Sequence, residues 1–190
     1  MGRWEPNARE RLVWAALQLF AEQGYDATAV AQIAERAGLT KTTFFRHFPD
    51  KREVLFAGQD IHAQLLADGI AAAPDDATPL EAVAAALDAV TASFRPIQRE
   101  FGPRLLAVIA DTSELRERAA FKHAGLVAAM AEGLRERGVP ELTAGLAAEI
   151  GVRAFDDAFA RWVDPATEQT FPELARQALD ELRAAAATLT

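Results

Sequence analysis

The sequence predicts an all-α protein of about nine helices. Just over half of the 190 residues are hydrophobic, and alanine supplies much of that share in runs such as 84–86 and 184–187. Alanine is the strongest helix former, whereas the β-branched residues that favour strands are sparse in this chain. No segment alternates polar and apolar residues as a strand would. The length suits a small first domain followed by a second helical domain.

Three helices are predicted at the start of the chain. The first ends at Gln23, and apolar residues recur on one of its faces at helical spacing, at Val13, Ala16, Leu17 and Phe20. A second helix is predicted over 29–37, with Thr28 as its N-cap residue. A tight glycine-containing turn leads to a third helix over 41–48, with Thr40 as its N-cap residue.

A long fourth helix is predicted to begin at an Asp50 N-cap and to run to about residue 73, so that it belongs to both parts of the chain. Two later helices carry clear start signals. Thr78 with Glu81, and Thr170 with Glu173, have the spacing of capping boxes. These pairs predict the starts of the fifth helix and of the last one.

Prolines predict interruptions in the middle of the chain. Pro96 is expected to end or kink the fifth helix, and Gly102-Pro103 to break the chain again. The remaining helices are then predicted over 104–110, 113–138, 142–163 and 171–189.

Charge is distributed unevenly along the chain. The formal net charge is −8, but residues 1–56 carry +1 and the rest −9. Within 40–52 the balance is +3, from Lys41, Arg46, Lys51 and Arg52 against Asp50. A basic patch on an acidic protein indicates contact with DNA through one face.

Several classes of protein are not indicated. The chain has no cysteine, which excludes disulfides and thiolate metal sites, and no histidine pair has metal-ligand spacing. We therefore predict no metal and no cofactor. Without a Gly-rich phosphate loop or a Gly-x-Ser-x-Gly motif, an enzyme is not expected. No apolar run approaches the ~20 residues of a membrane span. The first residues lack the apolar core of a signal peptide. A cytoplasmic protein without a membrane partner is expected.

Residues 28–48 have the pattern of a helix-turn-helix. The exposed face of its second helix is predicted to carry Lys41, Thr42, Phe45 and His47, with Thr40 at its N-terminus. A helix of this kind can enter the major groove of DNA with its N-terminal residues against base edges. Because many helical hairpins bind nothing, the spacing alone leaves a merely solvated polar face as an alternative.

The same segment resembles the TetR family of transcriptional regulators. The resemblance runs through RLVWAALQLF at 11–20, EQGYDAT at 22–28, IAERAGLTK at 33–41 and FFRHFPDK at 44–51. It covers under a third of the chain and is architectural beyond that. It implies a homodimer, a helix-turn-helix DNA-binding domain over 1–52, and a helical ligand-binding and dimerisation domain over 53–190. It also implies a pseudo-palindromic DNA operator, a small-molecule effector and, most often, repression.

The resemblance assigns two sets of residues to DNA. Those at family positions that contact bases or phosphates are Thr40, Lys41 and Thr42. Those at positions that contact the DNA backbone are Phe45, His47 and Lys51.

Two positions depart from the family pattern. The family usually has tyrosine where this chain has Phe45, so a hydroxyl-to-phosphate hydrogen bond worth about 1 kcal/mol is missing. It often has threonine where this chain has Ala29. Thr28 is the candidate replacement for phosphate anchoring by the second helix.

An effector pocket is implied between the fourth and eighth helices. The candidate lining residues are Phe94, Gln98, Phe101, Arg104 and His123. The two phenylalanines flank the predicted break at Pro96, and either of them is also consistent with ordinary core packing. Arg104 or His123 could pair with an anionic group of the effector.

The last two helices are expected to form the dimer interface as a four-helix bundle. Apolar residues recur along them at helical spacing, and the candidates are Phe155, Phe159, Trp162, Leu174 and Leu182. The alternative that these stripes face the domain's own core stays open.

Two other functions compete with a ligand-responsive repressor. One is a helical protein-protein adaptor, and the other is a constitutive DNA-binding protein without ligand response. In the favoured hypothesis, an effector shifts the fourth helix and changes the spacing of two recognition helices that are about 34–36 Å apart on DNA.

Overall fold

The computed structural model describes residues 7–56 and 58–189, and this part of the chain is entirely helical. The prediction of an all-α fold is confirmed. The nine α-helices of these residues are α1 (Ala8–Gln23), α2 (Val30–Arg36), α3 (Lys41–His47), α4 (Gln59–Ala71), α5 (Pro79–Ala92), α6 (Pro96–Asp111), α7 (Ser113–Glu136), α8 (Glu141–Trp162) and α9 (Phe171–Ala187). A short 3₁₀ helix covers Arg52–Phe56. None of these helices is both long and apolar enough to cross a membrane.

The chain divides into two compact units. Of the described residues, unit 1 contains those up to 56 together with Pro103–Ala119, and unit 2 contains Gly58–Gly102 and 120–189. Helices α6 and α7 therefore each contribute residues to both units. The segment Pro103–Ala119 was expected in the second domain. The functional division at residues 52 and 53 stays a prediction.

The fourth helix is shorter than predicted. Asp50 does cap the chain, because its Oδ1 accepts hydrogen bonds from the backbone N–H groups of Arg52 at 2.8 Å and Glu53 at 3.1 Å. The turn that follows is the 3₁₀ helix, and α4 begins only after Gly58, whose φ is +100°. A left-handed residue cannot continue a right-handed helix. The prediction of one helix from Asp50 to residue 73 was wrong.

Helix α6 corrects the interpretation of the prolines. Pro96 is its first residue, where the missing N–H of proline costs nothing, and the helix continues through Pro103 to Asp111. At Gly102 a Cβ atom would lie 2.2 Å from Cγ1 of Val163, so α6 and the end of α8 are in close contact there. The prediction that Gly102-Pro103 breaks the chain was therefore wrong.

The two capping boxes are confirmed. Glu81 Oε2 accepts from the Thr78 N–H at 2.8 Å, and Thr78 Oγ1 accepts from the Glu81 N–H at 3.4 Å. Thr170 and Glu173 repeat the arrangement at the start of α9. Both signals lie within four residues of sequence, and the structure follows them.

The core of unit 2 uses small residues to bring helices together. Buried side chains from α4, α5, α7, α8 and α9 form one apolar cluster. At Gly69 of α4, an added Cβ would lie 2.6 Å from the Cα of Ala86 in α5. The abundance of alanine and glycine therefore permits close packing as well as helix formation.

Candidate nucleic-acid interface

The turn between α2 and α3 is held by several hydrogen bonds. Gly38, with φ of +66°, donates from its N–H to Glu35 O at 2.9 Å, and the Leu39 N–H donates to Ala34 O at 2.8 Å. The guanidinium of Arg11 in α1 donates to Ala37 O. The buried apolar residues of α1 to α3 and of the position after α3 include Leu12, Ile33, Ala34, Phe44 and Phe48. The predicted helix-turn-helix is therefore a packed unit with a defined turn.

Helix α3 presents a polar and partly aromatic face to solvent. Lys41, Thr42 and Arg46 are exposed, and the Phe45 side chain is 47% exposed. Thr40 is the N-cap residue as predicted, and its Oγ1 accepts from the Thr43 N–H at 3.1 Å. Arg46 was not among the predicted site residues, although its charge within the basic patch was the available signal.

The contacts of Lys51 differ from those that its predicted role requires. Its Nζ donates to the backbone carbonyls of Tyr25 at 2.7 Å and Thr28 at 3.1 Å, and it lies 4.0 Å from the centroid of the Tyr25 ring. The ammonium group thus stabilises the loop between α1 and α2. The interpretation of Lys51 as a side chain that extends to DNA phosphate is not what the structure shows, because its donors are directed at the chain itself.

Thr28 also points inward. It is 2% exposed, and its hydroxyl donates to Gly24 O at 2.8 Å. The N-cap residue of α2 is Ala29, whose N–H donates to the Gln32 side chain at 2.8 Å. The predictions that Thr28 caps α2 and that it replaces the missing threonine in phosphate anchoring are therefore wrong, since a buried hydroxyl cannot reach DNA.

His47 lies at the end of α3 and is half-buried. Its Nε2 is buried and has no hydrogen-bond partner among the described residues. The contact of His47 with DNA stays a prediction.

The first turn of α7 is attached to the helix-turn-helix within unit 1. Tyr25 Oη donates to Glu114 Oε1 at 3.4 Å, and Arg52 Nε lies 3.5 Å from the same oxygen. Arg118, one turn further along α7, forms an ion pair with Glu53. Burial, followed by the negative charge of Glu114, raises the pKa of Tyr25 well above the usual value for a phenol.

The five predicted effector residues belong to both units, with Arg104 in unit 1 and the other four in unit 2. Phe94 is stacked on His62, with ring centroids 4.8 Å apart, and contacts further aromatic rings of α8 and α9. Gln98 Oε1 accepts from the Arg95 N–H at 2.7 Å near the start of α6. Phe101 is partly buried, also in α6.

The two charged candidates lie elsewhere. Arg104 belongs to unit 1, where its guanidinium lies 5.4 Å from the Trp14 ring centroid. His123 Nδ1 is 2.9 Å from Asp156 Oδ2, and its Nε2 is 3.7 Å from Glu149 Oε2, so the ring lies between two carboxylates of α8. These carboxylates make the surroundings of His123 unfavourable for an anionic group.

Three of the five predicted dimer residues are covered by the chain's own core. Leu174 is 2% exposed, and Trp162 and Phe155 are also buried. Trp162 stacks on Phe171 with centroids 4.9 Å apart. The sequence left open whether these stripes face a partner subunit or the domain's own core. These three residues face the core of their own chain. Phe159 and Leu182 are partly buried and pack against the same cluster.

An open cavity of about 360 Å³ lies at the surface of unit 2. Its walls come from the start of α5, the first half of α8 and the end of α9, with Thr78, Pro79, Leu80, Thr143, Leu146, Ala147, Ile150 and Arg183 as lining residues. Beside it, Leu142 is 77% exposed and Leu146 57%. Neither leucine was predicted as a site residue, because a single periodic stripe does not tell which face of a helix is left uncovered.

The fold and the exposed face of α3 define a helix-turn-helix protein with a helical second unit. Residues 12–57 match the family model described as bacterial regulatory proteins of the tetR family. The chain is 37% identical over 89 residues to the HTH-type transcriptional regulator TcmR of Streptomyces glaucescens, which is 47% of this chain and 39% of that protein. It is 35% identical over 104 residues to the HTH-type transcriptional regulator BetI of Rhizobium meliloti, which is 54% of this chain and 49% of that protein.

The matched segments thus span less than half the length of these relatives. The fold is similar to that of FadR from Bacillus subtilis, solved in complex with stearoyl-CoA, with a TM-score of 0.56, 21% identity, and coverage of 90% of this chain and 96% of that one. GusR of Salmonella enterica gives a TM-score of 0.56 at 19% identity, with 94% of this chain and 97% of that one covered. Residues 12–57 are thus similar to the TetR family, and the fold of most of the chain is similar to those of FadR and GusR.

Proposed function

We propose that this protein is a transcriptional regulator that binds double-stranded DNA through α3. The observation that carries the proposal is the exposed face of this helix, with Lys41, Thr42, Phe45 and Arg46, on a turn whose geometry several hydrogen bonds hold. Cations on a helix of this kind attract DNA phosphates, and its side chains can reach base edges in the major groove. The net charge of −8 restricts that attraction to this face.

The protein is proposed to act as a homodimer on a pseudo-palindromic operator. The exposed Leu142 and Leu146, with Ile150 one turn further, form a stripe along one face of α8 beside the open cavity. A two-fold axis brings the same patch of both copies together, so an exposed apolar stripe suits a self-complementary interface. This stripe replaces the buried residues Phe155, Trp162 and Leu174 as the proposed contact between copies.

A small-molecule effector is proposed to bind unit 2 and to release the protein from DNA, which makes it a repressor. The aromatic cluster around Phe94 supports an effector with apolar or aromatic groups, because His62, Phe94 and Phe159 are only partly buried there. Such an effector changes DNA affinity only if it binds two states of the protein unequally.

The test is selection of genomic DNA fragments by the purified protein at physiological salt, followed by sequencing. Enrichment of an inverted repeat is the expected result. The matched variants are Lys41→Ala, which should lose enrichment, and Lys122→Ala in α7, which should keep it. Absence of enrichment before and after refolding to strip bound ligand would contradict the proposal and favour a protein-protein adaptor. If no compound of a small-molecule library changes the enrichment, the result would favour a constitutive DNA-binding protein.

A further inference from the structure

Phe45 is an unusual side chain for the exposed face of α3. Its neighbour Phe44 is fully buried, and the two rings meet edge to face with centroids 5.5 Å apart. This contact fixes the base of the Phe45 side chain, yet the residue stays 47% exposed. The exposed edge of the Phe45 ring is therefore available to an apolar group of a partner that approaches this face.

Lys41 and Phe45 form one combined surface. They are one helical turn apart, and Lys41 Nζ lies 5.8 Å from the centroid of the Phe45 ring. The Thr40 hydroxyl, by contrast, is occupied at the N-cap, since it contacts both the N–H and the hydroxyl of Thr43. The exposed side of α3 therefore presents the Lys41 ammonium group close to the apolar ring of Phe45.

We propose that Phe45 recognises thymine through its C5 methyl group; this inference rests on the proposed DNA binding. A phenyl ring has no donor or acceptor for a phosphate oxygen, and the thymine methyl is the apolar group that the major groove exposes. Phe45 thereby acts as a base-reading residue rather than a backbone contact. The ammonium of Lys41, held beside the ring, is placed to donate to an acceptor of an adjacent base or phosphate.

The experiment uses the operator obtained by selection, with each thymine in turn replaced by uracil, which lacks only the methyl group. Affinities of the full-length protein are measured by fluorescence anisotropy at physiological salt. One thymine in each half-site should show an affinity loss of about fourfold, the effect of one buried methyl group. The other thymines should show no loss.

Variants assign that loss to Phe45. Phe45→Ala should bind the thymine and uracil operators equally, whereas Phe45→Tyr keeps the ring and should keep the discrimination. Phe121→Ala removes an exposed phenylalanine of α7, and it should retain the discrimination of the parent protein. Circular dichroism checks that each variant is folded.

The outcomes separate this inference from the function on which it rests. An operator bound equally with thymine or uracil at every position would overturn the recognition by Phe45 and leave DNA binding intact. The same would follow if Phe45→Ala retained the discrimination. Failure to enrich any sequence would overturn both proposals together.

Discussion

The cations near α3 differ in what their charged ends contact. Lys41 extends over an exposed ring, while Lys51 donates to two backbone carbonyls of the loop between α1 and α2. Ten positions of sequence separate two lysines that belong to the same basic patch. Only the first is directed to the solvent, so the two should respond differently to removal of their charge.

Replacing Lys51 by methionine keeps most of the side chain and removes the ammonium group. The carbonyls of Tyr25 and Thr28 lose their donor, and we expect the free energy of unfolding to fall by about 1–2 kcal/mol. Lys41→Met is the matched control and should change the free energy of unfolding by less than about 0.5 kcal/mol while weakening DNA binding. Urea unfolding and DNA titration measure the two effects. A stable Lys51→Met protein with a flattened salt dependence of DNA binding would restore its phosphate role.

Tyr25 is the single tyrosine of the chain, so its ionisation can be followed without ambiguity. Its pKa is raised in the folded state, first by burial and then by Glu114. The neutral phenol is therefore favoured by folding, and this contribution is complete below a pH of about 10 and is lost as the pH rises above it. Near-ultraviolet absorbance should show tyrosinate forming at higher pH in the native protein than in urea.

A variant separates the two causes of this shift. Glu114→Gln removes the charge but keeps the size of the side chain, so the pKa of Tyr25 should fall only part of the way to its usual value. Coincident titration curves for folded and unfolded protein would contradict the burial of the phenol.

At the level of helices, local signals in the sequence predicted helix starts well. Contacts between distant segments could not be predicted from such signals. The capping boxes at Thr78 and Thr170 are complete within four residues, so they could be predicted. The close approach of Gly102 to Val163 could not be predicted, because these residues are far apart in sequence. The contacts of Lys51 with Tyr25 and Thr28 were missed for the same reason.

Two glycine substitutions should have opposite effects on helix stability. Gly102→Ala places a methyl group 2.2 Å from Val163 Cγ1 and should destabilise the protein by about 1–3 kcal/mol. Gly125→Ala in α7 meets nothing within 4 Å and should stabilise it by about 0.5–1 kcal/mol. Thermal unfolding of both variants measures the difference. Equal effects would mean that α6 and the end of α8 are not in close contact.

At the scale of the whole molecule, some apolar residues pack within one chain, and others are left uncovered where a second copy could bind. Apolar periodicity in α8 and α9 was predicted, but it could not tell which stripe the chain covers by itself. Trp162 and Leu174 are covered within the chain, whereas Leu142 and Leu146 are not. An interface between copies should therefore depend on the exposed pair.

Leu146→Glu should convert the proposed dimer to a monomer without unfolding it. Ile61→Glu is the matched control, because Ile61 is 56% exposed and Leu146 57%, and Ile61 lies on α4, away from this stripe in sequence. Sedimentation velocity measures the oligomeric state, and circular dichroism the fold. Dimers that survive Leu146→Glu would require a different interface.

The two chain segments that make up unit 1 determine which chimeras with a relative can fold. Its described residues come from two separate stretches, and the second one supplies the fully buried Leu115 together with Glu114 and Arg118. A fragment that ends at residue 57 would lack part of its own interior. Recombination at a single point between residues 57 and 103 therefore separates the two stretches of unit 1. Chimeras that also carry residues 103–119 from the same parent should be the ones that fold.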